Sequence, residues 1–189
     1  GQFGKWSSER RLEEAFKVFE SFRLLTPLRR GPYGAGPVND AVMARLERQG
    51  MAQHGAFSKG VPLMILSNDY QIGLFNGDVG MLWPDSAGRM RAHFPSEGGG
   101  FRDFTPLRLP LHERAFAMTV HKAQGSEFDE VLLLLPDCGA ESSHMTREML
   151  YTGLTRARSR VHIWGSREMA AAMISKVAAT SSGLRAALS

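Results

Sequence analysis

The sequence predicts an α/β layer interrupted by a small β insertion, and three observations carry that prediction. Strand-sized apolar runs alternate with helix-period stretches in the first and last thirds of the chain. From about Lys59 to Pro110 the texture changes to short apolar runs separated by tight-turn signals. Hydrophobic residues make up 43% and charged residues 22% of the 189, enough for one core carrying a small inserted module. Residues 1–58 and 111–189 are therefore expected to fold together, with 59–110 projecting as its own unit.

Taken in order, Ser8 to Ser21 reads as a helix. Leu12, Ala15, Phe16 and Phe19 form one stripe, and Ser7 or Ser8 can cap its start. Phe22 to Leu28 follows as a short strand that ends at Arg29, Arg30 and Gly31. Pro37 suits a first helical turn, Val38, Val42 and Leu46 continue at helical spacing, and Gly50 marks the stop. In the insertion, strands are expected at Val61–Leu66, Val79–Trp83, Met90–Phe94 and Phe101–Thr105, the pattern of a small antiparallel barrel. Its aromatics Tyr70, Phe75, Trp83, Phe94, Phe101 and Phe104 can fill a core or stack on bases. Alternation then resumes: strand Ala115–Val120, a turn with a short helix over His121–Phe128, and strand Val131–Leu135. A helix over Thr146–Ala157, a strand over Arg160–Trp164 and a helix over Ser166–Ala178 complete the chain, the last with Met169, Met173 and Val177 on one side.

Composition excludes several classes. No apolar run approaches the roughly 18 residues of a membrane span, so no membrane association is expected. No basic region precedes an apolar stretch at the N-terminus, and no signal peptide is expected. Cys138 is the one cysteine, which excludes an internal disulfide framework and fits a reducing cytoplasm. There are 23 basic and 19 acidic residues; residues 1–60 hold ten of the first and six of the second, so the excess lies at the N-terminal side. Eighteen of the cations are arginines, whose planar fork suits phosphate. There is no nucleophile elbow, and neither a His-Glu-x-x-His pair nor a Cys-x-x-Cys pair. Gly31 to Gly36 is glycine-rich without a following Gly-Lys-Ser/Thr, so it reads as a strand-to-helix loop. Val131 to Leu135 before Asp137 reads as a buried core strand.

Two segments stand above this background. Thr119 to Phe128 places Thr119, His121, Lys122 and Ser126 just after a strand, where open α/β sheets bind ligands. Gly125 permits close backbone approach, and a following helix start would offer N–H groups to an anion. The plainer account is a polar loop with a capping serine. The second segment, Tyr151 to Arg158, puts Arg156 and Arg158 near a helix C-terminus, where cations are favoured in any case; its functional account is an arginine presented to a phosphoryl group.

Together these segments resemble a known family. Ala117 to Asp129 is similar to motif V of superfamily-one DNA helicases, and Tyr151 to Arg158 to their motif VI. Phe22 to Gly34 with Asn39 resembles motif IV of the RecD branch, the alpha subunits of exonuclease V. Val61 to Asp69 with Gly73 to Gly80 is similar to the start of that branch's barrel. The resemblance implies a RecA-like (P-loop NTPase-like) second motor domain, its first part at 1–58 and its second at 111–189, with an SH3-like β-barrel inserted at 59–110. It implies an ATP-dependent 5′→3′ DNA helicase that acts in double-strand break repair and recombination. ATP with Mg²⁺ would be shared with a first motor lobe carrying Walker A and B, which this chain lacks, so the chain is expected to be a C-terminal fragment inactive alone. The implied partners are single-stranded and duplex-end DNA and RecB-like and RecC-like subunits, in a bacterial cytoplasm, with any nuclease in another subunit.

Carried across residue by residue, the resemblance implies that Arg156 reaches the γ-phosphate, with Arg29 in a similar task beside the adjoining Arg30. Gly125 and Glu127 would lie beside the nucleotide, and Thr119 and His121 would face the single strand. Lys122 and Ser126 are candidates for the DNA surface, and Tyr151 and Thr155 would orient the motif VI helix. The competing expectations are a non-catalytic DNA- or protein-interaction module, or the same domain from another superfamily-one helicase such as a conjugative relaxase.

Overall fold

The structure, a computed structural model, describes residues 2–52, 57–136 and 145–177. In chain order the elements are α1 (Gln2–Ser21), β1 (Phe22–Thr26), α2 (Ala35–Arg48), β2 (Pro62–Ile65), β3 (Val79–Pro84), β4 (Met90–Pro95) and β5 (Phe101–Phe104). After a 3₁₀ turn at Pro106–Arg108 come β6 (His112–Arg114), β7 (Ala117–Thr119), β8 (Phe128–Leu134), α3 (Arg147–Leu154), β9 (Ala157–Trp164) and α4 (Arg167–Ser175). Two sheets result: a four-stranded sheet in the order β7-β1-β8-β9, and a five-stranded sheet in the order β5-β4-β3-β2-β6. All pairings in the first are parallel and all in the second antiparallel.

β1, from the start of the chain, lies between β7 and β8 from its end. The two outer portions therefore interleave in one layer. Val131, Leu133 and Leu135 alternate along β8 and its exit and bury against Leu150 of α3 and Met169 and Met173 of α4. Thr146 and Ser166 cap these helices, each side-chain oxygen accepting from the backbone N–H three residues on. On the other flank, Asn39 of α2 reaches the outer edge of β7. Its amide donates to the Ala117 carbonyl (2.8 Å) and accepts from the Ala117 N–H (3.0 Å), so it stands in for a neighbouring strand. The antiparallel sheet has its own core of Val61, Leu63, Ile65, Leu74, Leu82, Ala92 and Phe94. Leu12 and Phe16 of α1 pack on Met81 and Trp83 and brace this sheet against the parallel one.

Several local expectations are corrected. α1 begins at Gln2, so Ser7 and Ser8 are interior to it and not caps. Residues 120–125 form turns and the chain then enters β8, so no helix follows Gly125. The N–H cradle expected from a helix start is absent there. α3 stops at Leu154, which leaves Thr155 and Arg156 on the turn into β9. β6 pairs with β2 and carries the antiparallel sheet on to Arg114. Val177 is exposed, unlike Met169 and Met173, because α4 has ended at Ser175. Asp137, Cys138 and Ala178 lie outside the described residues.

Candidate functional site

The segment from Thr119 to Phe128 is a crossover that runs the length of the parallel sheet. Thr119 pairs level with Thr26, while Glu130 pairs level with Phe22. At ~3.3 Å per residue, Thr119 and Phe128 are about 20 Å apart along the strand direction. Val120 and Ala123 are buried and hold the strap down. Gly125 makes its last turn at φ +84°, a conformation that a β-carbon penalises. His121, Gly125, Ser126 and Glu127 are left exposed. Thr119 is buried, and its Oγ1 accepts from the Lys122 N–H (3.4 Å). Lys122 itself is engaged by Glu113 of β6 in a half-buried ion pair.

Arg156 meets the far end of this strap. Its Nε donates to the Thr152 carbonyl (3.1 Å), its Nη1 to the Ser126 carbonyl (3.2 Å) and its Nη2 to Thr155 Oγ1 (3.3 Å). Its own carbonyl accepts from the Phe128 N–H (2.8 Å) and starts the β8–β9 ladder. All three guanidinium acceptors are uncharged, so among the described residues no carboxylate neutralises this cation. Next to it Arg158 Nε contacts Glu127 Oε2 at 3.1 Å, both side chains exposed. Ser126, Glu127, Arg156 and Arg158 thus gather at the N-terminal end of β8 and β9. Tyr151 is exposed on α3, while Thr155 accepts from the Arg156 guanidinium.

The other predicted residues stand at the opposite end. Arg29 and Arg30 are exposed on the loop leaving β1 and have no ion pair among the described residues. The loop is tight: Thr26 Oγ1 donates to the Tyr33 carbonyl (2.7 Å), and a β-carbon on Gly34 would lie 2.6 Å from the Arg29–Arg30 peptide. Thr119 and His121 share this end, since β7 adjoins β1 in parallel. Arg29 and Arg156 are therefore separated by the length of the sheet and do not converge on one phosphoryl group. Lys122, read from sequence as facing DNA, is engaged by Glu113, whereas Ser126, read the same way, is exposed and accepts from Arg156 only through its backbone carbonyl.

A cleft of about 1040 Å³ opens between α1, the antiparallel sheet and the crossover, with Phe75 and Arg102 on one wall and Lys122, Ser126 and Arg158 on another. Arg23 lies at its floor, 3% exposed, between the rings of Phe19 and Phe128. Sequence reasoning missed Arg23 because one charged residue in an apolar strand reads as an outward position. The Glu127–Arg158 pair was also missed, although both residues lie in the highlighted segments. Among the described residues no group of three or more His, Cys, Asp or Glu side chains could hold a metal ion.

Residues 114–164 match the UvrD-like helicase C-terminal domain family. The chain is 39% identical over 173 residues to the RecBCD enzyme subunit RecD of Mycolicibacterium smegmatis, covering 91% of this chain and 30% of that protein. It is 32% identical to the Haemophilus influenzae protein of the same name, covering 90% of this chain and 26% of that one. With the ATP-dependent RecD2 DNA helicase of Deinococcus radiodurans it shares 33% identity over 147 residues, covering 76% of this chain and 20% of that protein. The chain thus spans about three-tenths or less of the length of these relatives. Among solved structures, Pif1 helicase from Bacteroides in complex with ADP-AlF3 and ssDNA superposes with a TM-score of 0.50 at 14% identity, covering 90% of this chain and 50% of that one, a likeness of fold.

Proposed function

Because the chain belongs to the RecD branch of the superfamily-one helicases over the stretch it shares with them, we propose that it is the C-terminal motor half of an ATP-dependent 5′→3′ DNA helicase. In this reading the parallel layer is the RecA-like second motor domain, from residues 1–58 and 111–189. The antiparallel sheet is an SH3-like barrel inserted at 59–110 and completed by β6. The whole protein works on single-stranded and duplex-end DNA beside RecB-like and RecC-like subunits, in the repair and recombination of double-strand breaks in a bacterial cytoplasm.

The observation that carries the reading is Arg156, a cation held at the sheet's end by neutral acceptors alone. Phosphoryl transfer spreads negative charge over the transferred group, and a pre-positioned guanidinium stabilises it without reorganisation. Arg156 would exchange its Ser126 or Thr155 contact for a γ-phosphate oxygen. Gly125 would let the nucleotide approach the backbone, and Glu127 would accept from a ribose hydroxyl. Mg²⁺ fits no cluster of the described residues, so no step is assigned to it on this chain. At the other end exposed His121 faces the tracked strand, with Thr119 buried beside it as a support, and we assign Arg29 and Arg30 to the same face because they share that end of β1 and β7.

The test is Arg156→Ala in the full-length protein. ATP turnover is expected to fall by about 10³-fold or more with nucleotide binding largely retained. Turnover near the wild-type rate would remove the reading. This chain alone, having no Gly-Lys-Ser/Thr loop, is expected to show negligible ATPase activity.

A further inference from the structure

Between Ala123 and Val131 the chain buries a single side chain, Phe128; Gln124 to Glu127 and Asp129 are exposed. This same short stretch holds Arg156 by both its backbone and its side chain. The Phe128 N–H donates to the Arg156 carbonyl at 2.8 Å, and the Ser126 carbonyl accepts from Arg156 Nη1 at 3.2 Å. Before the stretch Gly125 turns in the left-handed region, and after it the β8–β9 register shifts between Phe128 and Glu130. With a turn on one side and an irregular register on the other, the stretch takes its place mainly from where the Phe128 ring sits.

That ring sits on Arg23. The guanidinium carbon lies 4.7 Å from the Phe128 ring centroid and 3.6 Å from that of Phe19, within the range of cation–π attraction. The fork is itself fixed. Its Nη1 donates to the Ala115 carbonyl (3.2 Å) and its Nη2 to the Phe19 carbonyl (3.3 Å), while β1 holds its backbone level with Val131. Packing alone does not call for a charge here. A methionine would fill the space without desolvating a cation and without an orphaned Nε. What the guanidinium adds is a flat, pre-oriented face for the ring, where the rotatable bonds of methionine would let the ring shift. Resting on the function proposed above, we propose that Arg23 is a positioning residue for ATP turnover. By seating the Phe128 ring it fixes residues 126–128, and through their carbonyl and N–H it fixes the aim of the Arg156 guanidinium. Arg23 touches no substrate in this role; it acts through Phe128.

The experiment measures DNA-stimulated ATP turnover of the full-length protein, with its denaturation midpoint alongside. Arg23→Met keeps the volume and loses the fork; Phe128→Leu keeps the burial and loses the ring. Each is expected to lower kcat by about tenfold or more, since a small misplacement of a catalytic group is enough for that. KM for ATP should change by less than about twofold, because the contact being misplaced is one made in the transition state. In an Arg156→Ala background, Arg23→Met should cause no further loss, as expected of residues that act as one unit. A further tenfold fall in that background would overturn the positioning role, as would a loss of turnover that only tracks a lowered midpoint. Wild-type kcat in Arg23→Met, or in Phe128→Leu if the first variant does not fold, would overturn it while a slow Arg156→Ala leaves the motor reading standing. Wild-type turnover of Arg156→Ala itself would overturn both, so the two failures are distinguishable.

Discussion

Arg23 and Arg156 are placed to opposite effect, one sealed inside the fold and one held at the end of the sheet. Arg23 is sealed between Phe19 and Phe128, donates to the carbonyls of Ala115 and Phe19, and keeps a buried Nε with no partner. Burial pulls its pKa down from the ordinary arginine value to about 10, so it is still charged at neutral pH. Its aromatic contacts and two carbonyls offset the desolvation of the cation. Arg23→Ala would leave a cavity and unpair those carbonyls, with an expected loss of about 2–4 kcal/mol in chemical denaturation. Arg23→Met fills the space without a charge and should cost less than about 1.5 kcal/mol. Asn39 makes the converse point. Asn39→Leu would strand the Ala117 N–H and C=O, and a fall of about 1–3 kcal/mol in unfolding free energy is expected. The sequence made Asn39 visible through its motif and Arg156 through its own. It could not reveal that Asn39 completes a sheet edge, because that depends on Ala117, 78 positions away.

Among the elements, the insertion was the most legible part. Its strands are bounded by local turn chemistry at Asn76-Gly77, Pro84-Asp85 and Gly98 to Gly100, and local chemistry is what a sequence displays. β6 was not legible, since three residues become a strand only by pairing with β2. The turns over 120–125 read as a short helix because their buried residues, Val120 and Ala123, are three apart, a spacing shared by helices and consecutive turns. Within the insertion, His93 is half-buried with Nε2 3.2 Å from the Trp83 carbonyl, and burial lowers its pKa below 6.5. The unfolded chain therefore takes up this proton first as pH falls. The stability His93 contributes is fully present above pH 6.5 and is lost progressively as pH falls from there through the lowered folded-state pKa. The denaturation midpoint should be lower at pH 5.5 than at 7.5, and His93→Gln should flatten that difference.

Over the whole molecule, the proposed nucleotide and strand faces lie at opposite ends of one parallel sheet and are joined by a single crossover. Position along the strands was not legible, and for that reason the sequence grouped Arg29 with Arg156: strand order and register are set by pairing, and motif order carries neither. The Lys122–Glu113 pair fastens the middle of that crossover to the antiparallel sheet. If Lys122 acts through Glu113, Glu113→Gln should reproduce the effect of Lys122→Met on DNA-stimulated ATP turnover, and a double-mutant cycle should show about 0.5–1 kcal/mol of coupling. A Lys122 that touched DNA directly would instead lower the salt slope of DNA binding by about one unit.

That fastening makes the inserted sheet an outrigger lashed to a drive belt. A sideways load applied to the outrigger by a partner or a taut strand pulls on the belt midway between its two pulleys. Arg156, which donates to the Ser126 carbonyl near the belt's end, sits where such a pull would arrive.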